Sequence, residues 1–306
     1  IMKKKNIVKA AFLVVLIVAS VAIIWQQRST PYQHDTGFIF GTTYSITYQY
    51  AKDLQPEIEA EMKEVDSALS PFNKQSIITA INNNQKTSLN KKFTEVFNLA
   101  EKISRETDGA FDITVAPLVN EWGFGFKKGV DPSKHAIDSL RQIVGYQKVA
   151  LKDGKIVKQD PRINLDCSGV AKGYGSDCVA NLLRRHGIEN FMVEIGGEVV
   201  TSGINPDRVP WRIGVTKPVD DPTLQGGELQ TVLNVTDKAM ATSGNYRNFY
   251  YKGGKKYAHT IDPKTGYPVQ HNILSSTVVA DNCATADAYA TAFMVMGLEK
   301  AKAILD

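Results

Sequence analysis

The sequence predicts an α+β fold with mixed, largely antiparallel sheets and packed helices, preceded by an N-terminal membrane-anchor helix. Three observations carry this. With 306 residues and 43% hydrophobic side chains, the chain can bury a full core, in one large domain or two close lobes. Short strands crowd the later part of the chain, from Phe191 on, and helices are interspersed without a strict βαβ rhythm, which favours antiparallel pairing. Lysines at positions 3, 4, 5 and 9 precede an apolar run from Ala10 to Trp25, closed by Gln26, Gln27 and Arg28.

That run is the first element. Signal-peptidase cleavage needs small residues before a polar start, and Ser20-Val21-Ala22 leads instead into Ile23-Ile24-Trp25. The segment therefore reads as an uncleaved anchor, extended by Ile7 and Val8 while Lys9 reaches back to the interface. The positive-inside rule places the rest of the chain on the extracytoplasmic side of the cytoplasmic membrane. With no cysteine before Cys167, the helix itself and not a lipid-bearing cysteine is expected to anchor the chain. The expected division is an anchor over 1–28, a polar linker over 29–37 and one folded domain over 38–306.

Within the domain, Phe38 to Tyr50 alternates as a strand and its return, broken by Gly41. Pro56 to Leu69 places Ile58, Met62, Val65 and Leu69 on one helical face, with Pro at the start. Phe93 to Thr107 repeats that pattern and stops at Asp108-Gly109. A helix from Ile137 to Val144 precedes Lys148 to Gln159, where Asp153-Gly154 marks a hairpin. Ala171 to His186 reads as a helix and Phe191 to Ile195 as a buried strand ending at Gly196-Gly197. Strands are expected at 199–202, 211–216, 231–235, 239–242, 249–251, 257–262 and 275–280, then a last helix over 284–296.

Charge excludes one class of partner. Five of the 36 basic residues and none of the 32 acidic ones fall in residues 1–30, so the remainder carries a net charge of −1. Nucleic acid binding needs clustered positive charge and is not expected. Cys167, Cys178 and Cys283 match no metal-ligand spacing and read as small buried side chains.

Four stretches could carry chemistry. NLDCSGVAKGYG (164–175) delivers an acid and glycines to a helix start whose free N–H groups suit a phosphate, although it fits neither the P-loop nor G-x-G-x-x-G and could be a structural turn. ADAYAT (286–291) puts Asp287 and Thr291 four apart on one helical face, hard oxygen ligands of the kind that suit Mg²⁺; a dipole-favoured Asp and a back-bonding Thr would look the same. YAHTIDPKTGYPV (257–269) brings His259 to a Pro-x-x-Gly turn near Asp262, and DGAFDITVAPLVNEWGFG (108–125) offers an aromatic wall or ordinary core. Together they supply an anion turn, oxygen ligands, a base and aromatic walls, the parts of a metal-assisted reaction on a flavin-type pyrophosphate.

With GTTYSITY (41–48), SPFNKQSIITAIN (70–82), VEIGGEV (193–199) and ATSGNY (241–246), these stretches in this order resemble the FAD:protein FMN transferase family, ApbE, from Phe38 onward. The resemblance implies an ApbE-like, T-fold-like domain that uses Mg²⁺ and FAD as substrate. Such an enzyme attaches FMN through a phosphoester to a Thr or Ser hydroxyl of an exported partner and releases AMP. Acceptors carry a motif near S/T-G-A-T/S, absent from this chain, so the acceptor would be another protein. Carried over by motif, the metal would be held by the Ala171 carbonyl, Asp287 and Thr291, with the Ala290 carbonyl nearby. Asp287 and His259 would be catalytic, His259 lying at the reacting phosphate. Flavin and nucleotide contacts would come from Phe40, Phe72, Ala110, Phe111 and Asp112, and from Ser168, Lys172, Tyr174, Glu194 and Ile261. Two positions depart from the family: Phe40 stands where Met is common, and Ala290 stands where some relatives carry a second Asp. Two rival readings stay open on sequence, a Mg²⁺-dependent FAD pyrophosphatase giving FMN and AMP, and a non-catalytic flavin-binding surface protein.

Overall fold

The computed structural model describes residues 2–126, 132–219, 228–246 and 248–305. Helix α1 (Met2–Ser29) comes first. Its Asn6–Ile23 stretch has a mean hydropathy of 2.4, is not buried against the rest of the protein, and is long and apolar enough to cross a membrane, a test that a signal sequence also passes. The flanking side chains of residues 2–5 and 24–28 lie outside the described ones.

Strands β1 (Tyr32–Ile39) and β2 (Thr42–Gln49) form a hairpin whose two-residue turn, Phe40-Gly41, has φ of 52° and 75°. Both turn residues sit in the left-handed region, as a tight hairpin matching strand twist requires. Helices α2 (Gln55–Leu69), α3 (Ile77–Asn82), α4 (Lys91–Glu106), α5 (Ala116–Glu121) and α6 (Lys134–Arg141) follow, then the ribbon β3 (Val149–Lys152) and β4 (Lys155–Lys158). Helix α7 (Ser168–Arg185) leads into β5 (Phe191–Ile195) and β6 (Glu198–Ser202). Next come β7 (Arg212–Thr216), β8 (Leu229–Asn234), β9 (Ala239–Gly244), β10 (Phe249–Lys252), β11 (Lys255–Ala258) and β12 (Ser275–Ala280). Helices α8 (Cys283–Met296) and α9 (Leu298–Leu305) close the chain.

The main sheet has six strands in the order β1-β2-β5-β6-β9-β12, each pairing antiparallel. Alternation on β2 and β5 puts Tyr44, Ile46, Tyr48, Phe191 and Val193 on one face, where Ile58 and Met62 of α2 and Val179 and Leu183 of α7 cover them. The opposite face of β6 and β9 packs against the β7–β8 ribbon through Val199, Met240, Ile213, Val215 and Val235. This explains why β6 is buried on both sides. A second core joins α3, α4, the start of α7 and α8 through Ile78, Phe93, Phe97, Val170 and Ala288.

Helices α7 and α8 touch almost backbone to backbone. A Cβ on Gly173 would lie 2.4 Å from the Cys283 carbonyl oxygen and 2.8 Å from the Asp287 Cβ. Alanines at 284, 286, 288, 290 and 292 keep the α8 surface flat enough for this approach. Asp177 on α7 locks the pair, its two carboxylate oxygens accepting the Cys283 and Ala284 N–H groups at 2.8 Å each.

Several expectations change here. The polar stretch read as a linker supplies most of β1, an edge strand whose single buried acid, Asp35, accepts from the Tyr48 hydroxyl at 2.9 Å. Helix α7 starts at Ser168, three residues before the expected Ala171, because Asp166 turns the chain by accepting the Ser168 N–H at 2.8 Å. Gly169 and Gly173 therefore lie inside a helix and not in a turn; Gly173 admits the α8 backbone, and Gly169 lies on the cavity wall beside Thr291 and Phe111. The strand expected over 257–262 stops at Ala258, and only an isolated bridge from Ile261 to Pro268 continues it. Helices α3, α5 and α9 were not expected. The first two span six residues each, too few for a periodicity to stand out. The three cysteines are buried free thiols, as read.

Candidate active site

A cavity of about 940 Å³ opens between α7, α8, the β5–β6 turn and the loops after α4 and β11. That is near the upper end of the ~300–1,000 Å³ typical of small-molecule sites. It gathers residues from all four chemical stretches, Ala110, Phe111 and Asp112, Ser168 and Lys172, His259 and Ile261, and Asp287 and Thr291, together with Phe72 and Glu194. Phe40, Ala171, Tyr174 and Ala290 are not on its wall. Phe40 packs on Gly175, at a distance that would put a Cβ there 2.6 Å from its ring. The Tyr174 hydroxyl donates to Glu95. Ala171 and Ala290 sit within α7 and α8, next in the chain to Lys172 and Thr291.

The two candidate oxygen ligands, Asp287 and Thr291, stand where the two helices meet. Asp287 is 3% exposed, and one of its oxygens accepts the Gly173 N–H at 3.1 Å. Burial raises its pKa, with the Lys172 charge opposing. Thr291, one turn on, has its hydroxyl 3.1 Å from that of Ser243 on β9. Among the described residues no cluster of three or more His, Cys, Asp or Glu side chains is arranged to hold a metal. A carboxylate and a hydroxyl on one cavity wall are a hard-oxygen pair that fits a small divalent cation completed by other oxygens.

Lys172 brings the site's positive charge. Its ammonium lies 2.6 Å from Oε1 of Glu198, a residue the motif reading did not single out. Burial pulls the Lys172 pKa down, and the charges of Asp287 and Glu198 more than offset it, so the lysine stays charged. Glu198 is 2% exposed, and burial together with the nearby Asp287 raises its pKa. The sequence signals for it were its place directly after Gly196-Gly197 and within the VEIGGEV segment (193–199).

His259 is held by an aromatic ladder. Trp122 stacks on Tyr257 at 5.5 Å, Tyr257 on Tyr250 at 5.5 Å and Tyr250 on Phe124 at 5.4 Å, and Phe124 meets the His259 ring edge-on at 6.5 Å. The Trp122 indole N–H donates to the Gly266 carbonyl at 2.8 Å, tying the ladder to the Pro263–Gly266 turn. Nδ1 of His259 lies 3.3 Å from the Asn248 carbonyl. A carbonyl only accepts, so the proton belongs on Nδ1 and Nε2 keeps its lone pair. Burial holds the imidazole pKa below the usual histidine value, and the Lys172 charge adds to the effect. Asp262 is not its partner; that carboxylate accepts the Lys264 N–H at 2.9 Å inside the turn. Asp112 is likewise structural in its hydrogen bonds, accepting from the Thr114 N–H at 2.8 Å and hydroxyl at 2.7 Å and from the Tyr146 N–H at 2.7 Å. Glu194 accepts the Gly197 N–H at 2.7 Å and braces the β5–β6 turn.

A sequence model of the ApbE family matches residues 40–306. The chain belongs to that family. Among its relatives, the FAD:protein FMN transferase of Vibrio cholerae is 38% identical over 284 residues, covering 89% of this chain and 84% of that protein. Its Haemophilus influenzae counterpart is 35% identical, covering 90% and 84%. Among solved structures, the ApbE flavin transferase of Vibrio cholerae superposes with a TM-score of 0.81 at 38% identity, over 90% of each chain. The apo form of the Pseudomonas stutzeri flavinyl transferase ApbE gives 0.78 at 31% identity, over 90% of this chain and 87% of that one. The ApbE resemblance and the antiparallel α+β architecture read from the sequence both hold.

Proposed function

We propose that the chain is a Mg²⁺-dependent FAD:protein FMN transferase acting on exported partner proteins. One observation carries the reading: Asp287, Thr291, Lys172 and His259, drawn from three separate sequence stretches, face a single cavity large enough for a dinucleotide. The relatives' name supports FAD as donor and a protein as acceptor.

The chemistry follows from charge. Among the described residues the cavity wall sets the buried acids Asp112, Glu198 and Asp287 against the one ammonium of Lys172, which leaves little positive charge to meet an anionic diphosphate. Asp287 and Thr291 would hold the cation, with the Ala171 and Ala290 carbonyls as the further ligands that the motifs imply. Bound there, Mg²⁺ supplies charge neutralisation of the phosphates. Lys172 binds phosphate oxygens, and Phe72, Phe111 and the Ala110 backbone form walls for a flat ring. The acceptor hydroxyl oxygen forms a bond to the flavin-side phosphorus. The phosphoanhydride bond breaks, its electrons stay on the bridging oxygen that leaves with AMP, and the hydroxyl proton passes to Nε2 of His259. Helix α1 tethers the domain to the membrane with the cavity on the extracytoplasmic side.

Incubation with FAD, Mg²⁺ and a domain bearing an S/T-G-A-T/S motif tests this. Flavin fluorescence that stays on the acceptor after denaturation is the expected result. Free FMN and AMP with an unlabelled acceptor would make the chain a pyrophosphatase, and bound but intact FAD would make it a flavin-binding protein.

A further inference from the structure

Among the described residues of the cavity wall, Glu198 is an acid whose burial is only half compensated. Its Oε1 meets Lys172, while Oε2 is buried without a hydrogen-bond partner among the described residues. Such a group weakens a fold: a buried ion pair seldom outperforms an apolar pair of similar shape, and an unsatisfied oxygen adds to the penalty. Its placement is nevertheless fixed from several sides. Glu198 opens β6 directly opposite Ile195, across the turn made by Gly196 and Gly197, whose φ values are 63° and 100°. Its carbonyl accepts the Ser176 hydroxyl of α7 at 3.2 Å. The same turn lies over the lysine stem, since a Cβ on Gly196 would come 3.3 Å from the Lys172 Cδ. Lysine is a flexible point charge with three donors, and here one donor is taken by Glu198, the described residue that its ammonium pairs with.

We propose that Glu198 is a positioning residue, which holds the Lys172 ammonium so that its two remaining N–H donors meet the diphosphate of the bound dinucleotide. The inference rests on the transferase reading above. Removing Glu198 releases the lysine while taking away no donor to the diphosphate. Ground-state affinity is then kept and the rate of the chemical step is lost, the pattern of misplaced rather than missing contacts.

The test is a double-mutant cycle of Glu198→Met and Lys172→Met in the full chain, reading kcat and KM for FAD in the transfer assay, with Tm as the check on folding. The expected result is a kcat about 10–100-fold lower for E198M, a KM for FAD that is unchanged or lower, and a Tm that is unchanged or higher. In the K172M background, adding E198M should change kcat by no more than about twofold, within the additivity error of such cycles. Glu198→Gln, close in shape, is read in the same way should the methionine variant not fold. A kcat for E198M close to wild type, or an equal loss in both backgrounds, overturns the role. Wild-type cleavage of FAD without transfer would remove only the proposed acceptor, because the same cycle on the cleavage rate still decides Glu198. Wild-type chain that does not cleave FAD removes the transferase reading and this inference with it.

Discussion

His259 shows how much of this site depends on single atoms. Its Nδ1 faces a carbonyl, which leaves Nε2 basic, and burial holds its pKa below the usual histidine range. The neutral ring therefore persists to lower pH than a solvent-exposed histidine would allow. The acid limb of kcat against pH should accordingly fall at a midpoint below about 6.5. His259→Ala should lower transfer by about 10²–10⁴-fold, the range for a lost general base, while FAD binding measured by flavin fluorescence persists. Transfer at the wild-type rate would remove the imidazole from the mechanism. Asp287 and Thr291 were legible as a pair from their spacing alone. Glu198 was not, because a lone acid after two glycines looks like any turn residue until its burial and its lysine partner are seen.

At the scale of elements, the α7–α8 contact decides where Asp287 and Thr291 stand. Gly173→Ala would press a methyl group against the Cys283 carbonyl, 2.4 Å away, and backbone cannot step aside as a side chain can. A loss of about 1–3 kcal/mol is expected, measured by urea unfolding, together with weakened metal-dependent activity as Asp287 shifts. Asp177 supplies a pH signature. Burial raises its pKa from 3.8 to about 6 despite the two N–H groups that it accepts. A carboxyl raised on folding contributes stability below its unfolded pKa and loses that contribution as pH rises through the folded value. Without added metal, wild-type chain should therefore lose stability relative to Asp177→Asn between about pH 4 and pH 6, by ~1.4 kcal/mol for each pH step of one crossed in that window. Parallel pH curves for the two proteins would contradict this. The long periodic helices α2 and α4 and the buried strand β5 were readable, because one apolar face set their period. Edge strand β1 was not, since its fit comes from backbone pairing and one tyrosine–aspartate bond instead of apolar alternation.

For the whole molecule, the proposed anchor helix α1 and the ApbE fold are separable in their physics. The apolar stretch of α1 buries nothing against the domain, and the main sheet begins only at Tyr32. The full chain should pellet with membranes, whereas a chain starting near Thr30 should stay soluble with a Tm within a few degrees of the full-length value; a large drop in Tm would show that α1 supports the fold. Charge supports the same division, because the basic excess lies in the first 30 residues and the rest is near neutral. The site itself is a property of the assembled molecule, since helix, turn and loop residues as far apart in sequence as Pro71 and Val295 line one cavity. The most direct measurement is the intact mass of an acceptor domain after incubation with FAD and either wild-type chain or Asp287→Asn, with and without Mg²⁺. The account predicts one added FMN per acceptor motif for wild type with Mg²⁺ and no addition in the other three samples; equal labelling without the cation, or by the asparagine variant, would contradict it.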